Sequence, residues 1–225
     1  VSLEWAGVDE DRSSEQEVMT IAGSSIRLAV LLSGGGRTML KDQDRIREGK
    51  LSAAIEVVVS SRGEVAGVER ARNAGLRVVV LERKRMSAEA FQNELAAAVR
   101  DVDLVCMAGF LSLWRIPDEM IGRVMNIHPA LLPEFGGRGM YGHKGHEALL
   151  AAGKKESGCT VHFCDNEYDH GPIILQRRVP VLPDDTPDTL AARVFAEECV
   201  AYPEAVQLFA EKRIVIEQGR VRVSG

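Results

Sequence analysis

An alternation constrains this chain more than any other feature. Short apolar runs, each suited to a buried strand, take turns with stretches of helical character. Ile26-Arg27-Leu28-Ala29-Val30-Leu31-Leu32 opens the series, and Ile55 to Ser60, Arg77 to Leu81 and Asp103 to Ala108 continue it. Between them lie a helix running from the Ser33 turn to about Glu48, one from Val65 to Ala74 closed by Gly75, and one opened by Ser87 and reaching about Arg100. Near-continuous apolar strands are covered on both faces, and strand–helix–strand order implies a parallel sheet with right-handed crossovers. In such sheets ligands bind beyond the carboxyl ends of the strands.

The next strand, Arg123 to His128, is cut off by Pro129, which has no N–H for a ladder. After Pro133 comes a glycine-rich loop from Phe135 to Gly142, then a helix from His146 to Ala152 ended by Gly153. Cys159–Cys164 and Ile173–Val179 follow as strands, and the link from Asp165 to Ile173 suits an antiparallel pair. A long helix from Thr189 to Glu211, with Pro203 as a kink or break, and a hairpin around Gln218-Gly219 finish the chain. The expected fold is α/β: a single Rossmann-like domain over residues 26–225, with a mostly parallel sheet flanked by helices and an antiparallel strand pair toward the C-terminus. Residues 1–25 are polar and acidic and are expected to form an N-terminal extension.

Composition excludes several classes of partner. The net charge of −5 carries no basic footprint for nucleic acid or an anionic membrane. No apolar run is long enough to span a bilayer, and no leader pattern opens the chain, so a cytoplasmic protein is expected. The four cysteines are scattered without C-x-x-C spacing, as reduced buried thiols are. Small-molecule partners and a monomer or homodimer are expected.

Two stretches carry chemistry. Ser33-Gly34-Gly35-Gly36-Arg37-Thr38 joins a buried strand to a helix start, where bare N–H groups and the helix dipole make an anion site. The dinucleotide pattern fails at Met39 and no Walker lysine follows, so a small phosphate monoester is favoured, unless the turn only makes room. In the other stretch, Asn126 and His128 are two residues apart on a strand and project to one face, while Ile127 enters the core. An amide and an imidazole so placed either satisfy a loop or stabilise an oxyanion and move a proton. His143 and His146 share a helix face without a Cys or acidic partner that would complete a zinc pattern, so no metal is expected. His162 reads as a packing histidine in mid-strand. The loop from Asp165 to Asp169 lacks the glycine and glutamate of a calcium loop. A serine elbow is also missing. Asp169 is either an exposed loop carboxylate or, with the loop folded over the cleft, a partner that favours the charged form of His128. That polar loop has little apolar surface to fix it, so it is expected to order only with a ligand.

Three segments then carry a resemblance: Asn126-Ile127-His128-Pro129 with Leu131-Leu132-Pro133, Gly158-x-Thr160-Val161-His162-Phe163, and Asp169-x-Gly171-Pro172-Ile173-Ile174. Together they resemble the formyltransferase family that uses 10-formyltetrahydrofolate. Ser33 to Gly36, Glu69 to Gly75, Ala108-Gly109-Phe110 and Gly139 to Gly142 support it, in order, across residues 27–216. Chain length favours the branch acting on glycinamide ribonucleotide in purine synthesis, because the methionyl-tRNA and deformylase branches carry a further domain. The resemblance implies Asn126, His128 and Asp169 as the catalytic trio. It implies a ribonucleotide phosphate site over Gly34, Gly35, Gly36, Arg37 and Thr38, with Glu198 on the ribose. It implies folate contacts from Leu111, Ser112, Leu113 and Trp114, from Asn126, and from Asp165, Asn166, Glu167, Tyr168 and Asp169. The co-substrate would be 10-formyltetrahydrofolate, without a metal. Two departures stand out: Arg37-Thr38 where Ser-Asn is common, and Ser112 where an arginine is usual. Three other readings remain: transfer to another amine such as an amino sugar nucleotide, hydrolysis of the formyl donor, and an inert phosphate-binding homologue.

Overall fold

The structure is a computed structural model, and it describes residues 25–140 and 142–224. The expected N-terminal extension lies outside these residues, apart from Ser25. Five parallel strands form most of one sheet: β1 (Ile26–Leu32), β2 (Ala53–Ser60), β3 (Val78–Val80), β4 (Leu104–Met107) and β5 (Val124–His128). β6 (Glu156–Phe163) pairs antiparallel with β5, and β7 (Ile173–Pro180) antiparallel with β6. The strand order is β3-β2-β1-β4-β5-β6-β7.

β1 shows why an unbroken apolar run was needed. Leu28, Val30 and Leu32 enter one buried cluster, while Ala29 and Leu31 enter another on the opposite face. The helices α1 (Arg37–Arg47), α2 (Ala66–Asn73), α3 (Ala88–Val99), α4 (His143–Ala151) and α5 (Pro187–Ala210) divide unequally between those faces. α3, through Phe91, Leu95 and Val99, covers the Ala29 side together with Trp114, Ile116 and Met120. The other four helices cover the Leu28 side through Met39, Ala71, Leu149 and the buried stripe of α5.

Several elements differ from the sequence reading. α4 begins at His143 rather than His146, directly after Gly142, whose φ of 59° suits glycine. β6 begins at Glu156, because Glu156, Ser157 and Gly158 pair with Pro180, Val179 and Arg178 although they carry no apolar signal. α5 runs unbroken through Pro203. Proline removes one intrahelical donor there, yet Ala201, Tyr202, Ala205 and Val206 around it are fully buried, and packing outweighs the lost bond. The start of α5 is built locally, with Pro187 in its first turn and a reciprocal capping box between Thr186 and Thr189. Tyr202 fixes the helix to the sheet: its hydroxyl lies between the carbonyls of Met107 (3.0 Å) and Met125 (3.1 Å), near the carboxyl ends of β4 and β5. The C-terminal hairpin is as expected, with β8 (Ile214–Glu217) and β9 (Arg220–Val223) joined by Gln218 and Gly219, both at positive φ. Among the described residues no helix is long and apolar enough to cross a membrane.

Candidate active site

A cleft of about 700 Å³ opens at the carboxyl ends of β1, β4 and β5. Asn126 and His128 reach it from β5, and β6 supplies the neighbour that the sequence reading missed. The antiparallel register sets Asn126 directly opposite His162, so both side chains stand on one face. The His162 Nδ1 lies 2.9 Å from its neighbour's carbonyl, Phe163 O, which only accepts, so Nδ1 carries the proton. Nε2 is then an acceptor, and it lies 3.1 Å from the Asn126 amide nitrogen. Burial favours the neutral ring, outweighing the opposing pull of the Phe163 carbonyl and of Asp169. His162 therefore fixes which way round the Asn126 amide sits.

His128 is held on both sides. Its Nδ1 faces Asp169 Oδ1 at 3.4 Å, and its Nε2 faces the Phe135 carbonyl at 2.9 Å. The Phe135 carbonyl only accepts, so Nε2 carries a proton, and Nδ1 is the nitrogen turned to the carboxylate. Asp169 arrives from the loop between β6 and β7, with a left-handed φ of 53° that aspartate tolerates. The turn beyond it depends on Gly171, where a Cβ would lie 2.0 Å from the Phe163 carbonyl. The other Asp169 oxygen accepts from the Gly137 N–H at 2.8 Å, which draws the glycine-rich loop over the dyad. Other members of the Asp169 loop hold the loop itself: Asp165 accepts from the Glu167 N–H and pairs with His170 at 2.7 Å, and Asn166 accepts from the Ile116 N–H. The contacts that hold this loop are thus polar rather than apolar.

The glycine turn lies at the far end of the same cleft. Gly36 takes a left-handed φ of 66° just before α1, and a Cβ there would meet the Gly67 backbone at 2.9 Å. Among the described residues no protein acceptor takes the N–H groups of residues 34 to 39. The turn is braced from outside instead: Arg70 donates to the Gly35 carbonyl and the Gly67 N–H to that of Gly34. Arg37 stacks 4.1 Å over the Phe195 ring of α5. One turn further along α5, Glu198 lines the cleft with its carboxyl pushed up to about 7 by burial, a shift that Arg37 partly offsets.

Ser33 joins the two halves. Its N–H donates to the Gly109 carbonyl (3.0 Å), and its buried hydroxyl accepts from the Leu111 N–H (2.9 Å) and bonds Ser61 (2.6 Å).

Of the folate residues expected from the resemblance, the structure brings Leu111, Asn126, Tyr168 and Asp169 to the cleft. Trp114 is buried among the residues that pack against α3, so its ring faces the core instead. Ser112, Leu113, Asp165, Asn166 and Glu167 lie outside the cleft lining. Gly35, Gly36, Arg37, Thr38 and Glu198 line it, while Gly34 stands behind. His146 also borders the cleft, held toward its neutral form by burial first and then by His143 and His128, whereas His143 pairs with Asp188 at the surface. Among the described residues no cluster of three His, Cys, Asp or Glu side chains suits a metal ion.

The arrangement can polarise a carbonyl, move a proton and hold an anion in one cleft, and residues 26–206 match the family model described as formyl transferase. The chain belongs to the formyl transferase family. It is 41% identical over 196 residues to the chloroplastic phosphoribosylglycinamide formyltransferase of Vigna unguiculata, covering 84% of this chain and 62% of that protein. It is 40% identical over 215 residues to the enzyme of the same name from Arabidopsis thaliana, covering 90% of this chain and 73% of that protein. The crystal structure of glycinamide ribonucleotide transformylase 1 from Symbiobacterium toebii superposes with a TM-score of 0.85 at 42% identity, over 94% of this formyl transferase family member and all of that chain.

Proposed function

We propose that this formyl transferase family member transfers the formyl group of 10-formyltetrahydrofolate to the primary amine of glycinamide ribonucleotide. The observation that carries the reading is the single cleft holding Asn126, His128 and Asp169 at one end and an unpaired glycine turn at the other. The names of the relatives support the same acceptor.

The acceptor's phosphate binds at the turn, on backbone N–H groups of residues 35 to 38 and the Arg37 guanidinium. Its ribose hydroxyls donate to Glu198. The folate lies along Leu111 and Tyr168, with the formyl carbon between Asn126 and His128. The amine nitrogen attacks that carbon, and negative charge develops on the formyl oxygen. The Asn126 amide and the His128 ring donate to this oxygen, which takes over the proton that His128 otherwise directs to the Phe135 carbonyl. Asp169 stabilises the ring's positive charge. The carbon–N10 bond then breaks, N10 gains a proton, and the amine loses one through a water held by the dyad. Each polar group in such a role is worth roughly 10²–10³ in rate. The protein works as a monomer or homodimer in the cytoplasm.

Release of tetrahydrofolate is the test, measured with and without glycinamide ribonucleotide. Release that depends on this acceptor, with formylated product, is expected. Release that ignores the amine would make the protein a hydrolase, and release with an amino sugar nucleotide alone would change the acceptor.

A further inference from the structure

Resting on that reading of the acceptor site, we infer that Phe195 is a positioning residue for the acceptor's phosphate, holding the Arg37 guanidinium flat beside the glycine turn. Arg37 is the first residue of α1, and its side chain leaves the turn from an exposed position. Such an arginine ordinarily samples many rotamers and meets an anion only at an entropic cost. Here the guanidinium carbon sits 4.1 Å from the Phe195 ring centroid. Stacking uses the face of the guanidinium and leaves its N–H edges free for a bidentate contact to phosphate oxygens. Among the described residues, no carboxylate is in ion-pair range of Arg37. The acidic neighbour in the cleft that feels Arg37 is Glu198, whose burial keeps part of its population uncharged near neutral pH. The cation is therefore fixed in place without being neutralised.

The layout of α5 makes this possible. Ala191, Phe195 and Glu198 fall on one face at helical spacing, and all three line the cleft with Arg37. Ala191 is too small to fill the space that the stacked pair occupies. A phenylalanine that served only as an apolar wall would need no particular partner on α1. One that orients Arg37 contributes only while Arg37 is present, so the two substitutions must fail to add.

Steady-state kinetics on four proteins provide the test: wild type, Phe195→Leu, Arg37→Ser and the double variant. Melting curves accompany them to show that each is folded. Phe195→Leu is expected to raise KM for glycinamide ribonucleotide roughly three- to tenfold, the range of a cation–π contact, with kcat changed less than about twofold. Phe195→Tyr keeps the ring and is expected to restore KM. In the Arg37→Ser background Phe195→Leu is expected to do nothing more. Calorimetric titration with inorganic phosphate reads the same site without turnover, and its affinity is expected to follow the same order. Unchanged phosphate affinity in Phe195→Leu, or an equal KM rise with and without Arg37, overturns the inference. If the wild type does not formylate glycinamide ribonucleotide but phosphate affinity follows Phe195 and Arg37, the acceptor assignment fails while the inference stands.

Discussion

His128 sits between two acceptors, and at the scale of single residues the proposed chemistry turns on that contact. Because Asp169 faces its Nδ1 at 3.4 Å, replacing the carboxylate with an amide takes away the charge that favours the cationic ring. Asp169→Asn is expected to lower kcat by roughly two orders of magnitude or more, while acceptor KM moves little because the proposed phosphate site is at the other end of the cleft. A variant turning over at full speed would remove the carboxylate from the mechanism. His162 acts one step back, through the amide it orients. His162→Phe is expected to cut kcat about ten- to a hundredfold with little change in acceptor KM, and His162→Gln, which can still accept from Asn126, to recover part of the loss. Equal loss in both variants would argue against the orienting role. These two residues differ in how far the sequence betrayed them. Strand period places Asn126 and His128 on one face but leaves their role open, and for Asp169 the loop alone allows either an exposed carboxylate or a partner for His128; the motifs around Pro129 and Gly171 are what point to chemistry in both. His162 read as packing because nothing local records that a strand beginning at Glu156 will set it opposite Asn126. Trp114 misled in the other direction: it stands beside Leu111 and Leu113 in sequence, but its indole turns into the core.

Among the elements, α1 carries an unusual load. Asp42 lies on its buried face, 1% exposed, and neither carboxylate oxygen has a hydrogen-bond partner among the described residues. Burial alone pushes that carboxyl up to about 8 from an ordinary 3.8. Between those values the unfolded chain ionises Asp42 while the folded chain keeps it protonated. Stability is therefore fully present below about 3.8 and is lost progressively as pH rises toward about 8. Asp42→Asn removes that slope, so its melting temperature is expected to exceed the wild type's by a margin that widens up to about pH 8 and then levels off. A margin that stays constant with pH would show that Asp42 is not buried as an acid. α5 teaches a different lesson about reading elements. Its capping signals at Thr186 and Pro187 are local and stand in the sequence, but Pro203 looked like an interruption because the burial that overrides it comes from the sheet below. Propensity is a local quantity and packing is not.

Across the whole molecule, the alternation of apolar runs and helices was enough to foresee a parallel sheet with its cleft beyond the strand ends, since β1 buries both its faces wherever the partners lie. What alternation could not convey is how the two ends of the cleft stand to one another. That relation passes through Ser33, whose N–H and hydroxyl both bond the Gly109–Leu111 segment while its next neighbours form the glycine turn. The proposed phosphate site at the glycine turn and the proposed folate wall at Leu111 are thus measured from one common datum. A cleft built this way is a gauge: it accepts an acceptor by the length between phosphate and amine as much as by chemical type. Inserting one methylene, with β-alanine in place of the glycyl unit, leaves the phosphate and ribose contacts intact but carries the amine past the formyl carbon. A misplacement of about 1 Å costs on the order of a hundredfold in rate, so this analogue is expected to compete with glycinamide ribonucleotide at similar concentration yet to be formylated about a hundredfold more slowly. Rapid formylation of the longer amine would mean that the two ends move independently, and that the datum at Ser33 sets no length.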